Sequence, residues 1–145
     1  MKLSQRGRYG VLALQDLANE YGTGPVALKS IAERQDISEN YLEQLMGTLK
    51  KAGFVKSIRG AQGGYRLTKP PKDYTVGMIL RLTEGSLAPV SCLDDEVNTC
   101  ERAKECNTLF VWEKLYSAIC NVVDHITIED IINHSKAMYG NDYVI

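Results

Sequence analysis

The sequence predicts a mainly α fold (α+β): three helices closed by one two-stranded hairpin, followed by a long helix. Three observations predict it. Apolar residues recur at helical spacing over most of the chain. A single stretch, FVKSIRGAQGGYRLT, sets two β-prone runs around a glycine-rich turn. Late in the chain, apolar residues alternate at spacings of three and four.

The elements follow in order. From Ser4 to about Tyr21, residues Tyr9, Val11, Leu12, Leu14, Leu17 and Ala18 mark a helix, which Gly22, Gly24 and Pro25 break. LKSIAERQ is a second, short helix with Leu28, Ile31 and Ala32 inward. Asp36 and Ile37 make a turn, Ser38 is a good N-cap for the third helix, and Gly53 ends it. FVKSI and GYRLT then pair across RGAQG as a hairpin. Three helices closed by a hairpin, the last two about three residues apart, read as a winged helix-turn-helix spanning residues 1–74. Beyond it, Thr75 caps a short helix ending at Gly85, and an irregular loop runs over about 86–107. Trp112, Leu115, Ile119, Val122 and Ile126 then form a short coiled-coil seam, suited to pairing two chains or to packing within one. A last helix, IEDIINHSKAM, is expected to pack back on that seam, with GNDYVI loose behind it. Residues 75–145 thus form a second unit of loop and dimerisation helices.

Composition bounds the function. At 145 residues with 44% hydrophobic content, the chain suits a globular domain with a real core. MKLSQRGRYG has no apolar run of the signal-peptide kind, and no stretch approaches membrane-spanning length, so a cytoplasmic protein without membrane contact is expected. Residues 1–74 carry twelve Lys and Arg against seven Asp and Glu; residues 75–145 carry five against eleven. The stretch 44–72 holds seven cations and no carboxylate. Such a split points to a polyanion-binding half joined to something else, although charge alone also suits a solvated surface.

The third helix supplies the shape. At 100° per residue, Leu42, Leu45, Met46 and Leu49 form the inward stripe. Opposite lie Asn40, Gln44, Gly47 and Lys51, flanked by Tyr41 and Glu43. Amides that bond adenine, an acid that accepts from cytosine and a phosphate-seeking lysine suit a major-groove helix in double-stranded DNA. An ordinary solvated face would also be polar; the neighbouring turn and cationic hairpin favour DNA. At the hairpin tip, Arg59 precedes glycines that admit close backbone approach, as a minor-groove arginine would need.

GRYGVLAL near the start, ISENYLEQLMGTLKKAGFVKSIRGAQGGYRL in the middle and three cysteines near position 100 resemble the IscR-type family of bacterial winged-helix transcription regulators. The resemblance covers the chain to about residue 135. It implies a homodimeric, non-enzymatic repressor that senses iron–sulfur or redox status through a bound cluster. It also implies DNA contacts from Ser38, Tyr41, Glu43, Gln44, Arg59 and Gly60, with Lys2 and Ser4 matching positions that approach phosphates.

The cysteines are Cys92, Cys100 and Cys106, three in the fifteen residues CLDDEVNTCERAKEC. A disulfide uses two, and a closed zinc site favours four ligands in tight pairs. The resemblance implies that the three hold an iron–sulfur cluster, [2Fe–2S] favoured over [4Fe–4S]. Relatives with a histidine ligand carry it three positions after the last cysteine, where this chain has Leu109. His125, about 28 Å further along a continuous helix, is out of reach within the chain. Asp94, Asp95, Glu96, Asn107 or a partner's side chain are the fourth-ligand candidates. Zinc or free thiols are the bland alternatives, and Cys120 reads as a small buried apolar side chain. The competing function is a cluster-free repressor that senses oxidants with its thiols or answers to a partner protein. An electron carrier would have no use for the cationic first half, and no motif pairs His125 or His134 with a cysteine nucleophile.

Overall fold

The structure, a computed structural model, describes residues 2–141. The expected looseness of GNDYVI falls mainly on residues outside that range. Helix α1 (Gln5–Asn19) starts where the Ser4 hydroxyl accepts the Gly7 amide at 3.2 Å. Its buried face is Ala13, Leu14, Leu17 and Ala18, with one carboxylate among them. That carboxylate, Asp16, is 3% exposed and accepts from Arg34 Nε, Arg34 Nη2 and Gln35 Nε2 at 3.0, 2.6 and 3.1 Å. Both donors belong to α2 (Leu28–Gln35), so this cluster fixes α1 against α2. A charge so buried is tolerable only with its hydrogen bonds satisfied. Asp36, in the left-handed region at φ 53°, turns the chain toward α3 (Glu39–Lys51).

Ser38 caps α3 by accepting the Tyr41 amide, and Leu42, Leu45, Met46 and Leu49 are all buried, as the apolar stripe predicts. Strands β1 (Val55–Ile58) and β2 (Gly64–Leu67) pair antiparallel with Val55 opposite Leu67. Val26 joins β2 through two 2.8 Å backbone bonds with Tyr65, anchoring the hairpin to the α1–α2 connection. A Cβ at Gly64 would overlap the Val26 carbonyl, so this close approach requires glycine. At the hairpin's base sits the buried Tyr74. Its hydroxyl donates to the Phe54 carbonyl at 2.7 Å and accepts from the Thr68 and Lys69 amides at 3.1 Å.

Helix α4 (Val76–Glu84), capped by Thr75, packs on α1. Two short 3-10 turns, Ser91–Leu93 and Ala103–Glu105, are the only regular structure in the loop before α5 (Leu109–Val123). The chain then reverses into α6 (Ile128–Asn141). The expectation that this last helix packs on the seam is overturned. Helix α6 packs on α1, and Ile128 and Ile132 join the core formed by the first three helices. The cause is local: the Val76 amide donates to the Ile126 carbonyl and the Ile128 amide to the Tyr74 carbonyl, both at 2.9 Å. These bonds pull the α5–α6 link onto the start of α4.

Helix α5 buries no residue completely. Of the predicted seam, Trp112 and Ile119 are half-buried, Leu115 and Val122 are exposed, and Ile126 lies exposed beyond the end of the helix. With Val111 they give α5 an unpacked apolar side, while Phe110 is exposed on another face of the helix. Its other attachment is polar: the Arg81 guanidinium on α4 makes two bonds to the Asp124 carboxylate.

Candidate nucleic-acid interface and cysteine loop

Burying the α3 stripe turns Asn40, Glu43, Gln44 and Lys51 to solvent, all exposed. Tyr41 on the flank is half-buried and meets Tyr9 edge-on, ring centroids 5.7 Å apart, which holds its ring against α1. Ser38 is exposed, and its hydroxyl is engaged in the cap. At the wing tip Arg59 and Gly60 are exposed, and Gly60 adopts φ 118°, which a side chain would resist. Among the described residues the ion pairs are Arg34–Asp16 and Arg81–Asp124. Arg59, Lys51 and the other cations of 44–72 therefore face solvent without a carboxylate partner.

The first turn of α1 shares this face. Arg6, absent from the residues the sequence suggested, reaches across to α3, its Nη2 donating to Thr48 Oγ1 at 2.8 Å. Arg6, Tyr41, Gln44, Leu45 and Thr48 line a cleft of about 250 Å³. A signal for Arg6 did exist. The first turn of α1 has no acid, and a cation there opposes the helix dipole unless something else uses it. Lys2 is exposed nearby. Ser4 is already engaged: its amide and hydroxyl both donate to Glu84 Oε1, the last residue of α4.

The cysteine loop is less assembled. Cys92 is half-buried in the turn Ser91–Leu93, Cys100 and Cys106 are exposed, and all are free thiols. The structure does not bring the three together: among the described residues no group of three or more Cys, His, Asp or Glu is placed to hold a metal. Donor chemistry nevertheless suits an iron–sulfur cluster, since three unpaired thiols lie on a segment with little regular structure to resist closure. The loop also buries Asn98 Nδ2 with no acceptor, a cost that rearrangement would relieve. Asp94, Asp95, Glu96 and Asn107 are exposed alongside. Leu109 is half-buried as the first residue of α5, and the His125 Nδ1 lies 2.7 Å from the Asn121 carbonyl.

Cys106 stands apart from the other two. Hydrogen bonds from the Thr108 hydroxyl, then from the Thr108 and Leu109 amides, hold its thiol below the usual value and favour the thiolate. Cys120 is not merely an apolar filler. It is half-buried and accepts from Arg81 Nη2 at 3.5 Å.

A recognition-type helix, a cationic wing and a helix-turn-helix tied to α1 by the Arg34–Asp16 ion pair together define a winged-helix transcription regulator, a class that binds DNA. The family described as "Rrf2: Iron-dependent Transcriptional regulator" matches residues 3–134. The chain belongs to the Rrf2 family. It is 44% identical over 135 residues to the HTH-type transcriptional regulator CymR of Bacillus subtilis, covering 93% of this chain and 92% of that protein. The solved structure of that CymR, "the Global Cysteine Regulator of B. subtilis", superposes with a TM-score of 0.77 at 42% identity, covering 92% of this chain and 98% of that one. The structure of T. potens IscR gives a TM-score of 0.77 at 47% identity, covering 95% and 90%. An oxidized form of Staphylococcus aureus CymR gives 0.71 at 36%, covering 91% and 96%. These similarities bear out the IscR-type resemblance and the mainly α winged-helix fold. They agree with a regulator rather than an enzyme. Among the described residues, no helix is long and apolar enough to cross a membrane.

Proposed function

We propose that this chain is a cytoplasmic, homodimeric repressor in which residues 1–74 read double-stranded DNA and residues 75–145 sense and dimerise, α6 lending its apolar face to the first unit's core. The observation that carries the reading is one surface: the solvent face of α3 and the wing tip, joined by the stretch 44–72, which holds seven cations and no carboxylate. Asn40, Gln44 and Lys51 face the groove, Tyr41 and Glu43 approach it from the two flanks, and Ser38 fixes the start of the helix. Arg59 with Gly60 enters the adjacent minor groove, and Lys2 and Ser4 meet phosphates. The unpacked side of α5 pairs with its copy, which sets two half-sites one helical turn or a multiple apart.

In the sensing loop, Cys92, Cys100 and Cys106 would hold an iron–sulfur cluster, [2Fe–2S] or [4Fe–4S], with a non-cysteine fourth ligand. Such a group, when bound, supplies a redox-active, oxygen-labile centre. The residues themselves supply thiolate donors and a loop whose ordering differs between ligated and free cysteines. A second reading has its own support. Cys106, exposed and with its thiol held below the usual value, is suited to sense oxidants directly, and one of the similar solved structures is an oxidized form of Staphylococcus aureus CymR.

Anaerobic purification with iron and sulfide analysis separates the two readings: iron and sulfide with visible absorbance support the cluster, and a colourless, iron-free protein refutes it. In the thiol reading, Cys106 alkylates faster than Cys100, and Thr108→Val removes the advantage. Equal rates overturn that reading. For DNA, Arg59→Ala weakens binding to a selected operator by ~1–3 kcal/mol at matched salt. Unchanged affinity overturns the wing assignment.

A further inference from the structure

Gly47 lies in the middle of α3, on its outer face. At 100° per residue it falls with Asn40, Gln44 and Lys51 in an arc of about 60°, opposite the buried stripe. Its neighbours one turn away are Glu43 and Gln44 on one side and Lys50 and Lys51 on the other, all exposed. Gly47 therefore sits where side chains suited to base edges give way to side chains suited to phosphates.

A glycine inside a helix lowers stability relative to alanine, because its unfolded chain is freer. Elsewhere in this chain such glycines answer to packing. Side chains at Gly7, Gly10 and Gly77 would press on Glu84, Ile79 and Asp124, so α1 and α4 could not approach their neighbours as they do. Gly47 meets no such neighbour. A Cβ there would find nothing within 4 Å, and its φ lies outside the left-handed region. Gly140 shares this openness, but in the last turn of α6, where a glycine interrupts little helix. Gly47 thus weakens the recognition helix with no compensating contact inside the chain.

What the missing side chain does provide is depth. A helix with its side chains is ~10–12 Å across, and the major groove of B-DNA is ~12 Å wide and ~8.5 Å deep. The fit is close, so an atom projecting from the leading edge of the helix holds the backbone off the groove floor. Asn40 and Gln44 are short and reach base edges only when the helix sits deep. A glycine at the centre of that edge permits it.

We propose that Gly47 is the point of closest approach between this chain and the duplex: the α3 backbone lies against DNA there, and the absent side chain sets how far Asn40, Glu43 and Gln44 reach into the groove. The proposal rests on the DNA-binding reading and adds to it a residue that shapes specificity without a side-chain hydrogen bond. Its signature is that stability and specific binding move in opposite directions, which neither a solvated face nor a packing glycine produces.

The test uses the intact chain, an operator selected from random DNA with the parent, and a scrambled duplex of the same length at matched salt. Gly47→Ala and Gly47→Gln, both better helix formers, melt roughly 2–4 °C above the parent. Operator affinity falls about tenfold for the alanine variant and further for the glutamine variant. Affinity for the scrambled duplex, held mainly by phosphate contacts, changes by less than about twofold. A parent that selects no DNA refutes the DNA-binding reading itself. A parent that binds, with both variants more stable and equal to it in operator affinity, overturns the close approach alone. An equal loss on both duplexes overturns the specificity role. A lower melting temperature for Gly47→Ala overturns the proposal too, since the glycine would then serve packing.

Discussion

Tyr74→Phe removes one oxygen from the base of the wing and leaves the ring in place. The ring is 1% exposed and stands edge-on to Phe54 with centroids 5.8 Å apart, so no cavity opens. What disappears is the bond to the Phe54 carbonyl and the acceptor for the Thr68 and Lys69 amides. The loss is uneven. The Phe54 carbonyl still receives the Thr68 amide at 3.3 Å, whereas the Lys69 amide loses its partner. Lost hydrogen bonds of about 1 kcal/mol each, with a similar penalty for the orphaned amide, give a destabilisation of about 2–3 kcal/mol. For a chain of this size that lowers the melting temperature by roughly 5–10 °C. Urea unfolding should show a lower midpoint at unchanged slope, the mark of lost stability without altered compactness. Because the hydroxyl ties the residue before β1 to the residue after β2, operator affinity should also fall at temperatures where the variant is folded. A shift below about 1 kcal/mol would refute the account of Tyr74 as the wing's anchor.

Two further outcomes follow from α5 and its attachments. Val122 is 57% exposed on the unpacked side, so a paired interface recovers about 1 kcal/mol of apolar burial from each copy. Val122→Asp loses that burial twice and adds a desolvated carboxylate costing several kcal/mol, so sedimentation should find a folded monomer; a persistent dimer would exclude this side as the interface. The Asp124 carboxyl is held below its ordinary value, chiefly by the hydrogen bond from Arg81. Its stabilisation is present above the unfolded carboxylate pKa and is lost as pH falls through the folded one. The pair is 40% and 36% exposed, so Asp124→Asn should cost under about 1 kcal/mol at neutral pH. That deficit should vanish in acid, and a constant deficit at every pH would contradict it.

The parts of the fold set by neighbours in sequence were readable from it. The apolar stripe of α3, the Ser38 and Thr75 caps, the glycine stop at Gly53 and the hairpin each depend on a few adjacent residues and came out as expected. Helix α6 illustrates the limit. Its isoleucines announce an inward face but not which helix receives it, a choice made by backbone bonds from Tyr74 and Val76. The Ser4–Glu84 contact spans eighty residues and leaves no local pattern. Arg6 left only the faint trace of a cation at the wrong end of a dipole. In the cysteine loop the sequence names the donors, but convergence depends on loop conformation, which thiol spacing does not determine.

The attachment of α5 also makes it a lever. One end is pinned, through the 2.9 Å backbone bonds of Val76 and Ile128 and the Arg81–Asp124 pair, to the body that carries the recognition helix. The other end, at Leu109, follows directly from the cysteine loop. Fifteen residues give an arm of about 22 Å, so a 10° swing at the pinned end moves the far end by about 4 Å. Geometry runs the other way with equal force: a loop that shifts Leu109 by a few ångströms rotates the arm against the body. In a two-fold pair joined along α5, that rotation changes the distance between the two recognition helices. Operator spacing then becomes a ruler for the state of the loop, readable by comparing affinity for half-sites moved apart one base pair at a time.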